Sequence, residues 1–319
     1  MTDVLVTGGA GYIGSVTVDL LVERGDSVTV LDDLSRGHAD QVNAGADFVT
    51  GDVGDTDLVR RLMSDRSIES VIHFAGLIAV GESVADPIRY LDVNVARGVA
   101  LLEACKDTGI GSLVFSSSAA VYGTPDVVPT PESHPIRPES PYGWTKAAFE
   151  QMLTYTETAH GLRSVPLRYF NASGASPTRR ERHDPETHLI PNILRSARDA
   201  VTVKVFGADY DTPDGTAIRD YIHVLDLAEA HLVALDHLAS GGPSLAVNVG
   251  TGQGHSVLEV IEVARQVTGC TIEIEAKPRR PGDPPRLVAD PTSALGLGWS
   301  PQHPSLSEIV ASAWDGYRR

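Results

Sequence analysis

Val4-Leu5-Val6-Thr7 runs straight into Gly8-Gly9-Ala10-Gly11-Tyr12-Ile13-Gly14, and a helical pattern over Ser15–Arg24 follows without a break. A β-branched apolar run, a glycine turn and an amphipathic segment in that order form the dinucleotide fingerprint. One glycine makes the tight turn, one lets backbone approach a pyrophosphate, and one packs helix on strand. The free N–H groups where the helix begins then face an anion. Gly8, Gly11, Tyr12, Ile13 and Gly14 are the first candidate cofactor contacts.

The second apolar run, Ser27–Leu31, ends at Asp32-Asp33. A carboxylate about 20 residues past the glycines accepts from the adenosine ribose hydroxyls and repels a 2′-phosphate, which favours NAD over NADP. Arg36 stands close enough to hold such a phosphate and so opposes that preference. Asp52-Val53, after the run Asp47–Thr50, is a further candidate for the adenine edge.

Short strands at Val71–Phe74 and Leu113–Ser116 continue the series, with a helical pattern over Leu91–Thr108 between them. Strand–helix alternation predicts an α/β doubly wound parallel sheet of the Rossmann type. After Asn171 the rhythm breaks into the polar stretch SGASPTRRERHDPETH, a long substrate-side loop. Helices are expected at Leu189–Asp199, Val224–Leu238, Val257–Thr268 and Leu306–Gly316, with strands near Val201–Phe206 and Thr271–Glu275. Leu245–Val249 is expected to rejoin the sheet. The predicted division is a cofactor domain over 1–170, to which parts of 220–250 return, and a smaller C-terminal substrate domain over 171–319.

Composition narrows the function. A chain of 319 residues with 42% hydrophobic content supports a full core, and a net charge of −16 argues against nucleic-acid and anionic-membrane partners. The start lacks the pattern of a secretory signal and no apolar run reaches spanning length, so a cytoplasmic setting is expected. Cys105 and Cys270 stand alone, which suits reduced thiols. The eleven histidines show no familiar metal-ligand spacing, so no metal is expected.

Tyr142-Gly143-Trp144-Thr145-Lys146 sets a phenol and an ammonium one helical turn apart on one face. A tyrosine with a pKa near 10 is a poor base at neutral pH. A neighbouring ammonium and a cationic nicotinamide ring would lower that value. Upstream, Ser116-Ser117-Ser118 closes a strand, where hydroxyls can meet a substrate at the carboxyl edge of the sheet.

Along nearly its whole length the chain resembles the UDP-galactose (UDP-glucose) 4-epimerases, of the extended short-chain dehydrogenase/reductase type. The stretches that carry the resemblance are LVTGGAGYIGS, VIHFAGLIAVGESV, FSSSAAVYG, SPYGWTK, LRYFN, DGTAIRDYIHVLDLAEAH and RRPGD. The resemblance implies NAD-dependent inversion of carbon 4 of a UDP-sugar through a 4-keto intermediate. It makes Tyr142 the base, Lys146 its electrostatic partner and cofactor clamp, and Ser118 the hydroxyl on the sugar oxygen. Phe74, Ala75, Gly76, Asn94 and Phe170 would touch NAD. Asn171, His188, Leu189, Arg219, Arg280 and Asp283 would hold the UDP, with Lys204, Val205 and Phe206 lining the uracil pocket. A homodimer through paired helices is also implied. Nucleotide-sugar dehydratases carry an acidic pair after the strand-end hydroxyl, whereas this chain reads Ser118-Ala119-Ala120.

The sequence departs from the common pattern at Ile78, where a lysine is frequent, at Val93, where an asparagine is frequent, and at His188, where many members have asparagine. Leu287 matches the position that sets the size of the sugar pocket. Arg179, Arg180 and Arg182, in the loop expected to cover the sugar, make UDP-glucuronate the alternative substrate, since a carboxylate on carbon 6 would gain from arginine pairing. The opposing reading is a solvated loop face balanced by Glu181 and Asp184.

Overall fold

The computed structural model describes residues 2–280 and 282–318. Six strands come first: β1 (Asp3–Thr7), β2 (Ser27–Asp32), β3 (Asp47–Thr50), β4 (Ser70–His73), β5 (Ser112–Ser118) and β6 (Arg163–Tyr169). Then come β7 (Asn171–Ser173), β8 (Val203–Phe206), β9 (Ile218–His223), β10 (Val247–Val249), β11 (Gly254–Ser256), β12 (Ile274–Lys277) and β13 (Arg286–Leu287). Seven of them build one parallel sheet in the order β10-β6-β5-β4-β1-β2-β3. Thr7 at the end of β1 lies beside Leu31 of β2 on one side and His73 of β4 on the other. The winding reverses there, and the crevice beyond those carboxyl ends is where such sheets bind ligands.

The period of two along β1 explains both cores. Val4 and Val6 face one layer with Val18, Leu21, Leu227 and Leu235, drawn from the helices Tyr12–Arg24 and Val224–Ala239. Leu5 faces the other with Leu62, Leu101, Phe149 and Leu153, from the helices Thr56–Asp65, Arg97–Thr108 and Pro141–His160. A strand covered on both faces must be apolar throughout, as Val4-Leu5-Val6 is. A further core packs the helices Leu189–Asp199, Val257–Thr268 and Leu306–Arg318 around Val203 and Val205 of β8.

Several expected elements have the observed bounds or nearly so, among them Leu189–Asp199 and Val257–Thr268. Leu245–Val249 does return to the sheet, as β10 beside β6. The long helix expected over Leu91–Thr108 is broken. Pro87–Leu91 passes into a single π turn at Asp92–Ala96 before the α-helix Arg97–Thr108 resumes. Such widened turns recur at functional sites because they redirect one side chain, and here the redirected residue is Asn94.

Candidate functional site

Gly8 has φ of +75°, and a Cβ there would lie 2.5 Å from the Ala75 nitrogen. At Gly14 a Cβ would lie 2.4 Å from the Gly8 carbonyl oxygen. The turn therefore closes on backbone alone. Among the described residues no side chain caps the helix that begins at Tyr12, so its first N–H groups remain available to an anion. Asp32, 8% exposed, accepts from the N–H of Ala10 at 3.0 Å and of Leu34 at 2.9 Å. Burial lifts its pKa above the ordinary carboxylate value, and those two bonds oppose the rise. Asp33 is exposed and accepts from the Ser35 N–H. Arg36 is engaged elsewhere, with Glu82 and the Asp184 carbonyl. Asp52 bonds Arg97 and the Gly54 N–H, and Val53 belongs to the core.

The π turn swings Asn94 under the end of β4. Its amide accepts from the Leu77 N–H at 2.7 Å and donates to the Leu77 carbonyl and the Thr145 hydroxyl. Thr145 in turn donates to the carbonyl of Tyr142 at 2.7 Å. A Cβ on Gly76 would sit 3.1 Å from the Asn94 oxygen and 3.9 Å from Lys146 Nζ. Gly76, Asn94 and Lys146 thus converge, while Phe74 packs its ring on His231 and Ala75 donates to the Thr7 carbonyl.

Tyr142 and Lys146 rise from the first turns of the helix Pro141–His160, whose Ser140 cap accepts from the Gly143 N–H. Lys146, 3% exposed, donates to the Ser116 carbonyl at 2.6 Å and lies 5.8 Å from the Tyr142 ring centre. Burial lowers its pKa to about 8, and Glu150 opposes the fall. For Tyr142, burial raises the pKa and a hydrogen bond with Ser118 lowers it. The lowering expected from Lys146 is not what the chain itself provides; here Ser118 supplies the opposing influence. The Ser118 hydroxyl also accepts from the Ala120 N–H. Ala119 and Ala120 bring no carboxyl group to this edge.

Behind these side chains is a buried network that the sequence motifs do not mark. Glu150, one turn beyond Lys146, takes a two-point contact from Arg168 at 3.0 and 2.6 Å and a short bond from Ser117. Arg168 also reaches the Tyr122 hydroxyl, which donates to Asn248 on β10 at 2.7 Å. The spacing Tyr142, Lys146, Glu150, repeating every four residues, is the signal that points to it.

The expected substrate residues gather around the small strands. Asn171 on β7 donates to the Asp220 carbonyl on β9. Arg219 on β9 pairs with Asp283 and lies in register with Leu287 on β13. Leu287 packs against Ala119, Val121, Tyr122 and Phe170, close to the Ser118 edge. Phe206 carries the Arg280 guanidinium 4.0 Å above its ring, next to buried Val205 and exposed Lys204. His188 stands at the N-cap and Leu189 begins the helix Leu189–Asp199, which packs on β8 through Ile193 and Leu194 with Val203 and Val205. Tyr210, which no sequence motif singles out, has a buried hydroxyl with no partner among the described residues and carries the Arg279 guanidinium 4.3 Å above its ring. An orphaned hydroxyl beside an arginine fits a polar ligand.

The arginine cluster departs from expectation. Arg179 pairs with Asp19 in two bonds of 2.8 Å, Arg182 with Asp40, and Arg180 with the Gly316 carbonyl. The loop is fastened to the helix Tyr12–Arg24 and to Asp40, so two of the three cations that pointed to UDP-glucuronate already have carboxylate partners, while Arg180 meets only a backbone carbonyl. Their partners are Asp19 and Asp40 rather than the Glu181 and Asp184 of the opposing reading. The histidines are not all scattered in space, because Glu181, His183, Glu186 and His188 come together in this loop.

Comparison with known proteins agrees with this geometry. Residues 4–250 match the model of the NAD dependent epimerase/dehydratase family. A UDP-glucose 4-epimerase of Halalkalibacterium halodurans is 49% identical over 319 residues, which is 99% of this chain and 95% of that protein. The crystal structure of UDP-glucose 4-epimerase from Brucella ovis in complex with NAD superposes with a TM-score of 0.96 at 45% identity, covering 99% of this chain and 98% of that one. One from Stenotrophomonas maltophila, with bound NAD and formylated UDP-arabinopyranose, gives 0.96 at 41%, covering 100% and 98%.

Proposed function

Because this chain belongs to the NAD dependent epimerase/dehydratase family, we propose a division of labour among its residues in the inversion of carbon 4 of a UDP-hexose. The reaction interconverts UDP-glucose and UDP-galactose through a 4-keto sugar, with NAD as cofactor. One observation carries the assignment: Tyr142, Lys146 and Ser118 converge at the sheet edge with alanines where a dehydratase needs acids. Ser118 holds the 4-hydroxyl, and Tyr142 takes its proton and later returns it. Lys146, fixed by the Ser116 carbonyl, keeps positive charge beside the phenol. The glycine turn, the uncapped helix, Asp32 and Lys146 fit NAD, which when bound supplies the hydride acceptor and a cationic ring. Asn171, Arg219, Arg280, Asp283 and Tyr210 grip the UDP, leaving the ketone free to turn about its pyrophosphate link. We further propose that residues 1–170 with the returning β10 serve the cofactor and 171–319 the UDP-sugar.

The test is a panel of UDP-sugars with the epimers resolved by chromatography. UDP-glucose and UDP-galactose should interconvert with no net NADH, and UDP-glucuronate should not turn over. UDP-N-acetylglucosamine should react weakly or not at all, and Leu287→Gly should raise its kcat/KM relative to UDP-glucose at least about 10-fold, the scale of a pocket-size change. No gain would remove Leu287 from the sugar pocket. Net NADH formation would make the protein an oxidoreductase instead.

For the cofactor, Asp32 should make NAD bind at least about 10-fold more tightly than NADP, since a like-charge contact costs more than the ~1.4 kcal/mol of one decade. Titration of the cofactor-free protein checks this, and equal affinities would transfer the role to Arg36.

A cytoplasmic homodimer completes the proposal. Val84, Ile88 and Leu91 are 65, 78 and 44% exposed on the short helices after β4, and Trp144 and Tyr155 are 51 and 58% exposed on the helix Pro141–His160. Apolar side chains clustered at that density mark an interaction face. Sedimentation should give a dimer that Ile88→Asp dissociates; a monomeric parent would end the idea.

A further inference from the structure

The loop between Asn171 and the helix Leu189–Asp199 reads Glu181-Arg182-His183-Asp184-Pro185-Glu186-Thr187-His188, an E-x-H repeated after two residues. Of these residues the 4-epimerase resemblance gives a part to His188 alone, as a UDP contact. Folding brings one ligand atom from each Glu and His within 4.8 Å of all the others. Glu181 Oε1 lies 2.8 Å from His183 Nδ1 and 2.7 Å from His188 Nδ1, and Glu186 Oε1 lies 2.8 Å from His188 Nδ1. Both imidazoles therefore turn Nδ1 toward Glu181, and that of His188 meets Glu186 as well. The two rings lie 5.1 Å apart between centres.

We propose that Glu181, His183, Glu186 and His188 form a structural zinc site that locks this loop. Two nitrogens and two carboxylate oxygens are a donor set that zinc takes in tetrahedral form. Bond lengths of about 2.0–2.2 Å would place the four ligand atoms roughly 3.4 Å apart. Some gaps must therefore close and others open by small side-chain movements. Charge favours the ion as well. Two carboxylates with two neutral imidazoles carry two negative charges, which a divalent cation cancels. The Glu181 side chain is 8% exposed and that of Glu186 14%. Without an ion His188 supplies the balancing charge: burial lowers its pKa, but the two carboxylates outweigh burial and lift it to about 10. Zinc must therefore displace that proton.

The surroundings hold the ligands in place. Glu186 Oε1 also accepts from the N–H of Thr187 at 2.7 Å and of His188 at 2.8 Å. His183 meets the edge of the Tyr12 ring, and the Tyr12 hydroxyl donates to the Gly174 carbonyl at 2.6 Å. Arg179 and Arg182 fasten the same loop to Asp19 and Asp40. Outer contacts of this kind fix ligand orientation. Four protein ligands leave no open position, so the site is structural rather than catalytic. Its effect is to join the loop to the first turn of the helix that begins at Leu189.

Purified without chelator from zinc-supplemented cells, the protein should carry about one zinc per chain by elemental analysis. Glu181→Gln and His183→Ala should each weaken zinc binding by roughly 100-fold or more, judged by competition with a chromophoric chelator. After removal of metal, zinc alone should raise the Tm of the parent and leave both variants unmoved. Cobalt added to the stripped parent should show the intense visible bands of tetrahedral coordination, and the variants should not. Glu186→Gln provides the same comparison if one variant fails to fold. Binding of zinc to the variants as tightly as to the parent overturns the proposal. So does a parent that neither retains zinc nor responds to it in Tm or cobalt spectrum, which would leave a histidine–carboxylate cluster held by hydrogen bonds alone. None of these readouts depends on sugar turnover, so they stand apart from the epimerase assignment.

Discussion

Replacing Tyr142 by phenylalanine should lower kcat for UDP-glucose by about 10²–10⁴, the range for loss of a general acid–base group. The substitution removes only the hydroxyl. The ring keeps its place in the first turn of the helix Pro141–His160, so the Ser140 cap and the Thr145 bond to the residue-142 carbonyl survive. Stability and NAD retention should therefore stay close to the parent. Steady-state kinetics together with cofactor content after gel filtration checks both halves. Near-normal turnover would show that another group moves the proton, and joint loss of NAD would show that the phenol mainly holds cofactor.

Arg168→Met should cost about 3–5 kcal/mol of stability, the scale for leaving a buried charge without its partner. The side chains of Arg168 and Glu150 are only 7 and 11% exposed, and methionine can satisfy neither Glu150 nor the Tyr122 hydroxyl. Adding Glu150→Gln should restore part of the loss, because it removes the stranded charge. Denaturant midpoints for the two single variants and the double decide the matter. A change below about 1 kcal/mol in Arg168→Met would place the pair among weak, solvent-screened bridges. Glu150 stands one turn from Lys146, so the double variant also asks how far the ammonium depends on this support.

Much of the fold is legible in the sequence because its signals are local. Gly8–Gly14, Asp32 and the Tyr142–Lys146 spacing each state their geometry within a turn or two of chain. The strand β6 gives no such signal, since Arg163, Pro166 and Arg168 interrupt its apolar run. Its place explains the proline. Ser164 turns its N–H toward Ser244 on the β10 side, and by the period of two Pro166 turns its missing donor the same way, just before β10 begins opposite Leu167. The break at Asp92–Ala96 is hidden because a π turn adds no residue type that marks it. The arginines of the long loop mislead for another reason. Asp19 lies 160 residues from Arg179 and Asp40 lies 142 from Arg182, and pairing at that range has no trace in a linear reading. The Glu181–His188 cluster escapes because E-x-H doublets differ from the cysteine–histidine spacings usually sought.

The return of β10 to the edge of the main sheet governs how the molecule is born. During synthesis from the N-terminus, β6 has no outer neighbour until Val247–Val249 emerges, and Tyr122 and Arg168 wait as long for Asn248. The intervening stretch of chain must leave the ribosome first. The main sheet therefore cannot be completed by residues 1–170 alone, as the first bead on a string would be. A chain released early would expose the parallel edge of β6, an open invitation to pair with another unfinished copy.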